Sequence, residues 1–176
     1  MKVRDLDERA LLGKGTDRNE FMRTDTWPRR PAPSAALTPF HHQIDRPAQL
    51  YELRAALRGW LPEDLVPGQP DGAVVDTLVL VVDELASNGL RHGGPPVSVT
   101  VAPTACGLFL DIVDDDPIHG PAPVTDRDPA LGGMGLSMVA QVTTTRGWTT
   151  AGDRKHVWAC LPLEPAVADS VARRSA

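Results

Sequence analysis

The sequence is short of the residues that several functional classes depend on. Its 176 residues include only two cysteines, one tyrosine and three phenylalanines. Cys106 and Cys160 lie far apart and belong to no CxxC or Cys/His pattern, which argues against a structural zinc site. Acidic residues outnumber basic ones by 23 to 18, and the basic residues are scattered, so there is no electrostatic case for wrapping nucleic acid. No apolar run approaches the length of a membrane-spanning helix. The opening MKVRDLDERALLGKG has charges where a signal peptide needs an apolar stretch. The expected location is therefore cytoplasmic, with no membrane and no direct nucleic-acid partner.

A chain of this length supports one domain with a sizeable core. Residues 1–39 combine charges with WPRRPAPSAA and show little apolar periodicity, so they cannot offset their ordering entropy and are expected to form a disordered extension. Arg29 and Arg30 among the prolines also fit a docking segment, and Trp27 is the residue least suited to a free tail. His41 and His42 are adjacent and point in opposite directions if extended, which makes them a poor chelating pair. Residues 40–163 carry the domain, and 164–176 read as a short helical or frayed tail.

Within the domain, Asp45 offers an N-cap and Pro47 a first turn for a helix with Leu50, Leu53, Leu57 and Trp60 on one stripe. A second helix is expected over Asp76–Gly94. Its apolar face is Val75, Val79, Val82 and Ala86 with Leu78 at the edge, Asp71 supplies its N-cap, and the glycines and prolines at 93–96 supply its stop. The run LVLVV taken alone also suits a buried strand. VSVTV at 97–101 and LFLDIVD at 108–114 alternate as an antiparallel pair, with Leu108, Leu110 and Ile112 on one face and Phe109, Asp111 and Val113 on the other. A proline-rich loop, 115–131, precedes GGMGLSMVAQV, where Leu136, Val139 and Ala140 begin another helix. WTTA, AGDRK and HVWACLPL then read as a closing hairpin.

Glu84, Asn88 and His92 are spaced by four residues and therefore share one helical face. A solvated surface face would show the same spacing. An asparagine amide oxygen suits a hard Mg2+ ion that keeps most of its waters, and a carboxylate one turn earlier can take a proton from a hydroxyl or orient a water. Glycines at a helix start let backbone N–H groups approach an anion.

In order and spacing, ELASNGLRHG, DDDP and GGMGL resemble the three boxes of the Bergerat ATP-binding fold, found in sensor histidine kinases and type II topoisomerases. The nearest likeness is to its small stand-alone branch, the anti-sigma-factor serine kinases of actinobacterial type. The resemblance covers roughly Phe40 to Leu163. It implies an α/β (α+β) two-layer sandwich, a mixed and mostly antiparallel sheet with helices on one face. It also implies ATP and Mg2+ as ligands, a sigma factor or antagonist protein as partner, and association into homodimers.

Residue by residue, the resemblance makes Glu84 the catalytic base and Asn88 the magnesium ligand. Asp114 becomes the acceptor for the adenine amino group, and Gly133, Gly135 and Leu136 the phosphate cradle. His92 is placed near the nucleotide without a set role. Lys155 suits a phosphate contact but is expected as a solvated turn residue, and Arg91 either sits by the nucleotide or ends the helix as a favourable cation. Asp116 and Ile118 stand where the family has glycines, which adds a carboxylate facing the phosphates. A non-catalytic partner-switching module that sequesters a regulator is the alternative this departure raises.

Overall fold

The computed structural model describes residues 27–33, 39–61, 72–104, 107–122 and 134–163. Asp71, Gly133 and the tail from 164 lie outside the described residues, as does most of the loop before Gly133. Among the described residues five strands form one sheet in the order β1-β2-β3-β5-β4, with β1 Phe40–Ile44, β2 Val97–Thr104, β3 Gly107–Asp114, β4 Thr145–Ala151 and β5 Arg154–Leu161. Three helices, α1 Leu50–Trp60, α2 Gly72–Asn88 and α3 Gly135–Val142, complete an α+β sandwich.

Every pair of neighbouring strands is antiparallel. This corrects the expectation of a mixed sheet. Among the described residues, parallel geometry is confined to one isolated bridge between Arg29 and Trp148. β1 is also new. FHHQI alternates, but a histidine takes the middle position of its inner face, so that of Phe40, His42 and Ile44 only Phe40 and Ile44 are buried, paired with Val101 and Val97.

The alternation of β2 and β3 fixes the two faces of the sheet. Val97, Val99, Val101, Leu108, Leu110 and Ile112 are buried in the main core with the helices, while Phe109 joins Trp158 and Cys160 on the opposite face. On α1 the expected stripe is buried as Leu50, Leu53 and Leu57. Asp45 is not its N-cap. A short 3-10 turn, Pro47–Gln49, intervenes, and the Gln49 side-chain oxygen accepts the N–H groups of Asp45 (2.8 Å) and Arg46 (3.2 Å).

LVLVV is helical. α2 begins at Gly72, and its most buried residues are Leu78, Val81, Val82, Ala86 and Leu85, so the stripe is turned toward Val81 and Leu85 relative to the expected one through Val75. Asp83 faces α1, where Arg54 donates to both of its oxygens at 2.8 and 2.9 Å. The helix widens into a π-turn over Gly89–Gly93, and Gly94 leaves it with φ +80°. No helix among the described residues is long and apolar enough to cross a membrane.

Candidate functional site

The polar side of α2 forms one wall of an open cleft of about 1000 Å³. Glu84, Asn88, Arg91 and His92 line it from the helix and its π-turn. Opposite stand Gly135, Leu136, Ser137 and Gln141 of α3, and the loop after β3 contributes Asp116, His119 and Gly120. Five residues singled out from the sequence, Glu84, Asn88, His92, Gly135 and Leu136, therefore meet in one place. Their spacing places them there: four-residue steps hold one face of α2, and the buried Leu136, Val139 and Ala140 of α3 leave Ser137 and Gln141 on its open side.

Glu84 and Gly135 are in close contact. A Cβ on Gly135 would overlap the Glu84 carboxylate, so the glycine is what lets the backbone at the start of α3 reach it. A carboxylate at a helix N-terminus also meets the positive end of the helix dipole. Asn88 lies one turn further along the same wall.

Asp114 does not line the cleft. It closes β3 beneath the floor, 1% exposed, against the backbone of Gly93 and Gly89. Its Oδ1 accepts the Asp116 N–H at 3.0 Å and lies 3.3 Å from Lys155 Nζ. Burial raises its pKa above the usual carboxylate range, against the pull of the Asp116 N–H and Lys155.

The expectation of a solvated Lys155 is overturned. The residue belongs to β5, its register partner is Asp114, and it is buried. Its Nζ also donates to the His119 carbonyl at 3.0 Å and lies 3.9 Å from Asp116 Oδ2, so one cation ties β5 to the floor and to the loop. It lines the cleft as well. The signal that places it there is the strand register, which sets Asp114 opposite Lys155.

Asp116 organises the loop that the sequence marked as a departure. Its Oδ1 accepts the N–H groups of Ile118 and His119 at 3.1 and 3.2 Å, and its Oδ2 lies 2.9 Å from His119 Nδ1. Burial acts to raise its pKa, but the His119 side chain and these N–H groups outweigh it and hold the value below the usual range. The carboxylate is thus a fixed negative charge on the cleft lining. His119 is tied to Asp116 three residues earlier by a local turn, whereas its carbonyl's contact with Lys155, 36 residues on, is not legible from the sequence.

The donors suit a hard cation and an anion. Among the described residues, no cluster of three or more His, Cys, Asp or Glu side chains is placed to hold a metal. A magnesium ion that keeps most of its waters needs only one or two protein ligands, and the Asn88 amide oxygen on the cleft wall is a donor of that kind. Arg91 and the start of α3 supply positive potential, while the Lys155 charge is met by Asp114 and Asp116, and the cleft has the size of a small-molecule site. No protein-family model matches the sequence, and a search of curated proteins finds no match.

Proposed function

We propose that the chain is an ATP-binding regulatory protein of Bergerat type that acts as a serine/threonine kinase, passing the γ-phosphoryl group to a hydroxyl of a small antagonist protein. The observation that carries this reading is the placement of Glu84 and Asn88, one helical turn apart on the cleft wall, with Gly135 pressed against Glu84 from the facing helix. Glu84 takes the proton of the attacking hydroxyl. Asn88 holds magnesium, which when bound supplies charge neutralisation at the phosphates. The hydroxyl oxygen bonds to the γ-phosphorus as the bond to the bridging oxygen breaks, and ADP leaves. Positioning and electrostatics account for most of the acceleration in such transfers.

Asp114 enters this reading through Oδ2, which faces Gly89 and Gly93, because Oδ1 is already engaged by Lys155 and the Asp116 N–H. To accept the adenine amino group beside the π-turn it has to become accessible, since in the ligand-free fold it is 1% exposed and lies outside the cleft lining. A carboxylate acceptor at that edge favours adenine over guanine.

One observation favours a second reading. The Asp116 carboxylate faces the cleft as a held negative charge and opposes a triphosphate. This suits a module that sequesters a sigma factor or another regulator and uses nucleotide weakly or only structurally.

Calorimetry with ATP, with and without magnesium, tests the shared part of both readings. Binding that needs magnesium and weakens at least about tenfold in Asn88→Ala is expected, since a charge-assisted contact is lost. Equal binding by wild type and Asn88→Ala sinks the site assignment. Transfer of label from γ-labelled ATP to an antagonist protein, abolished in Glu84→Ala, separates kinase from binding module.

A further inference from the structure

Residues 27–33 lie beside β4 and reach over the outer face of the sheet. The Trp148 N–H donates to the Pro28 carbonyl at 3.0 Å and the Arg30 N–H donates to the Trp148 carbonyl at 2.9 Å. The Arg29 guanidinium stacks 5.1 Å above the Trp148 ring and donates to Thr150 Oγ1 at 3.0 Å. Arg30 stacks 4.9 Å above Trp158, whose indole N–H donates to the Arg30 carbonyl at 3.2 Å. Its Nε also donates to the Arg146 carbonyl at 2.8 Å. Trp27 is buried in the main core. Gly147 makes the room: a Cβ there would meet the Pro28 carbonyl, the Arg30 side chain and the Trp158 ring, each at 2.9 Å.

The indole that Arg29 covers also touches the cleft loop. A Cβ on Gly120 would lie 2.5 to 2.8 Å from three atoms of the Trp148 indole, so the loop packs onto that ring through a residue with no side chain. Gly120 lines the cleft, and the preceding His119 carbonyl receives Lys155. Contacts therefore run without a break from Arg29 through Trp148 to Gly120 and on to Lys155 and Asp114. The other ties of this loop sit at its start, where the Asp115 N–H donates to the Gly93 carbonyl and Asp116 bonds its neighbours.

We infer that Pro28–Arg30 and Trp148 are positioning elements of the cleft, fixing the indole that seats the 115–122 loop and so shaping the site from the far edge of the sheet. Cation–π stacking and two backbone hydrogen bonds hold the ring. A segment outside the domain expected from the sequence thereby reaches the cleft through the Trp148 ring. The last step, from loop to ligand affinity, rests on the cleft being the nucleotide site proposed above.

The test uses the full chain, as the Arg29→Ala/Arg30→Ala double variant and, separately, Trp148→Phe. Hydrogen exchange of the ligand-free proteins is read at the 115–122 amides, at the Arg30 amide and in β2 and β3. Exchange in 115–122 is expected to rise about fivefold in both variants with β2 and β3 unchanged, the scale of coupling through a packed network. The affinity for magnesium-ATP should fall by about the same factor. Unchanged loop exchange in a double variant whose Arg30 amide has lost protection overturns the inference. So does a rise spread evenly over β2 and β3, which marks a merely structural role. If the loop loosens as expected but wild type binds no ATP, the nucleotide reading fails and the positioning role stands.

Discussion

Lys155 and Asp114 face each other across β5 and β3 as an ion pair with almost no access to water, Nζ 3.3 Å from Oδ1 and the side chains 4% and 1% exposed. Such a pair adds little net stability over apolar packing, but breaking it leaves a buried charge. Lys155→Met is expected to destabilise the fold by about 3–5 kcal/mol near neutral pH. The folded state already holds the Asp114 proton above the ordinary value of 3.8, so its contribution to stability is full below the unfolded value and fades as pH rises through the folded one. Loss of Lys155 removes one of the groups pulling that value down, and the penalty should grow from acid to neutral pH. Urea unfolding of both proteins at about pH 4.5 and about pH 7 checks this. An equal penalty at the two pH values contradicts it.

On the outer face of the sheet, His156 Nδ1 and Asp111 Oδ2 are 2.9 Å apart. The hydrogen bond to Asp111 raises the histidine above its ordinary value of 6.5, against the cost of burial. A raised value gives stability that is complete below the unfolded pKa and is lost as pH climbs through the folded one. Wild type should therefore lose about 1.5 kcal/mol, the lower end for a hydrogen bond between charged groups, on passing above that value. Asp111→Asn should flatten the profile. NMR titration of His156 beside unfolding midpoints measures both, and an unshifted histidine in wild type would remove the basis for the prediction.

Two glycines make a contrast. Gly135→Ala drives a methyl group into the Glu84 carboxylate and should weaken magnesium-ATP binding about as much as Glu84→Ala does. Gly59 sits in α1 with nothing within 4 Å of an added Cβ, so Gly59→Ala should stabilise the fold by about 0.5–1 kcal/mol and leave binding alone. Thermal unfolding and calorimetry on the two variants decide it. The reverse pattern would refute the packing argument.

Arg54 and Asp83 join α1 to α2 through two parallel hydrogen bonds on a half-exposed surface. A double-mutant cycle with Arg54→Met and Asp83→Asn should return a coupling of about 0.5–1 kcal/mol. Because Asp83 points to α1 while its neighbour Glu84 points to the cleft, ligand affinity should not change. A shift in affinity would show that the helix pair moves with the site.

The sequence revealed elements whose pattern is local. The buried stripes of α1 and α3, the alternation of β2 and β3, and the four-residue steps of Glu84, Asn88 and His92 all express one period, and each is found in the structure. What it concealed depends on pairing. Lys155 sits beside turn-forming residues and reads as solvent-exposed, yet its burial follows from a register that sets it opposite Asp114. Arg29 and Arg30 lie more than a hundred residues from the tryptophans they cover, so no window of sequence contains both partners. β1 was missed because a histidine takes the middle position of its inner face and blurs the alternation.

The bridge between Arg29 and Trp148 has a consequence for self-association. By occupying the N–H and carbonyl of Trp148 at the middle of β4, residues 28–30 block that edge to a pairing strand, whereas among the described residues β1 pairs with no strand on its outer side. Sheets with two bare ends can string into filaments, but one with a single bare end cannot. Strand-to-strand joining of copies through β1 would use up both free edges at the first encounter, so such growth ends at a closed pair.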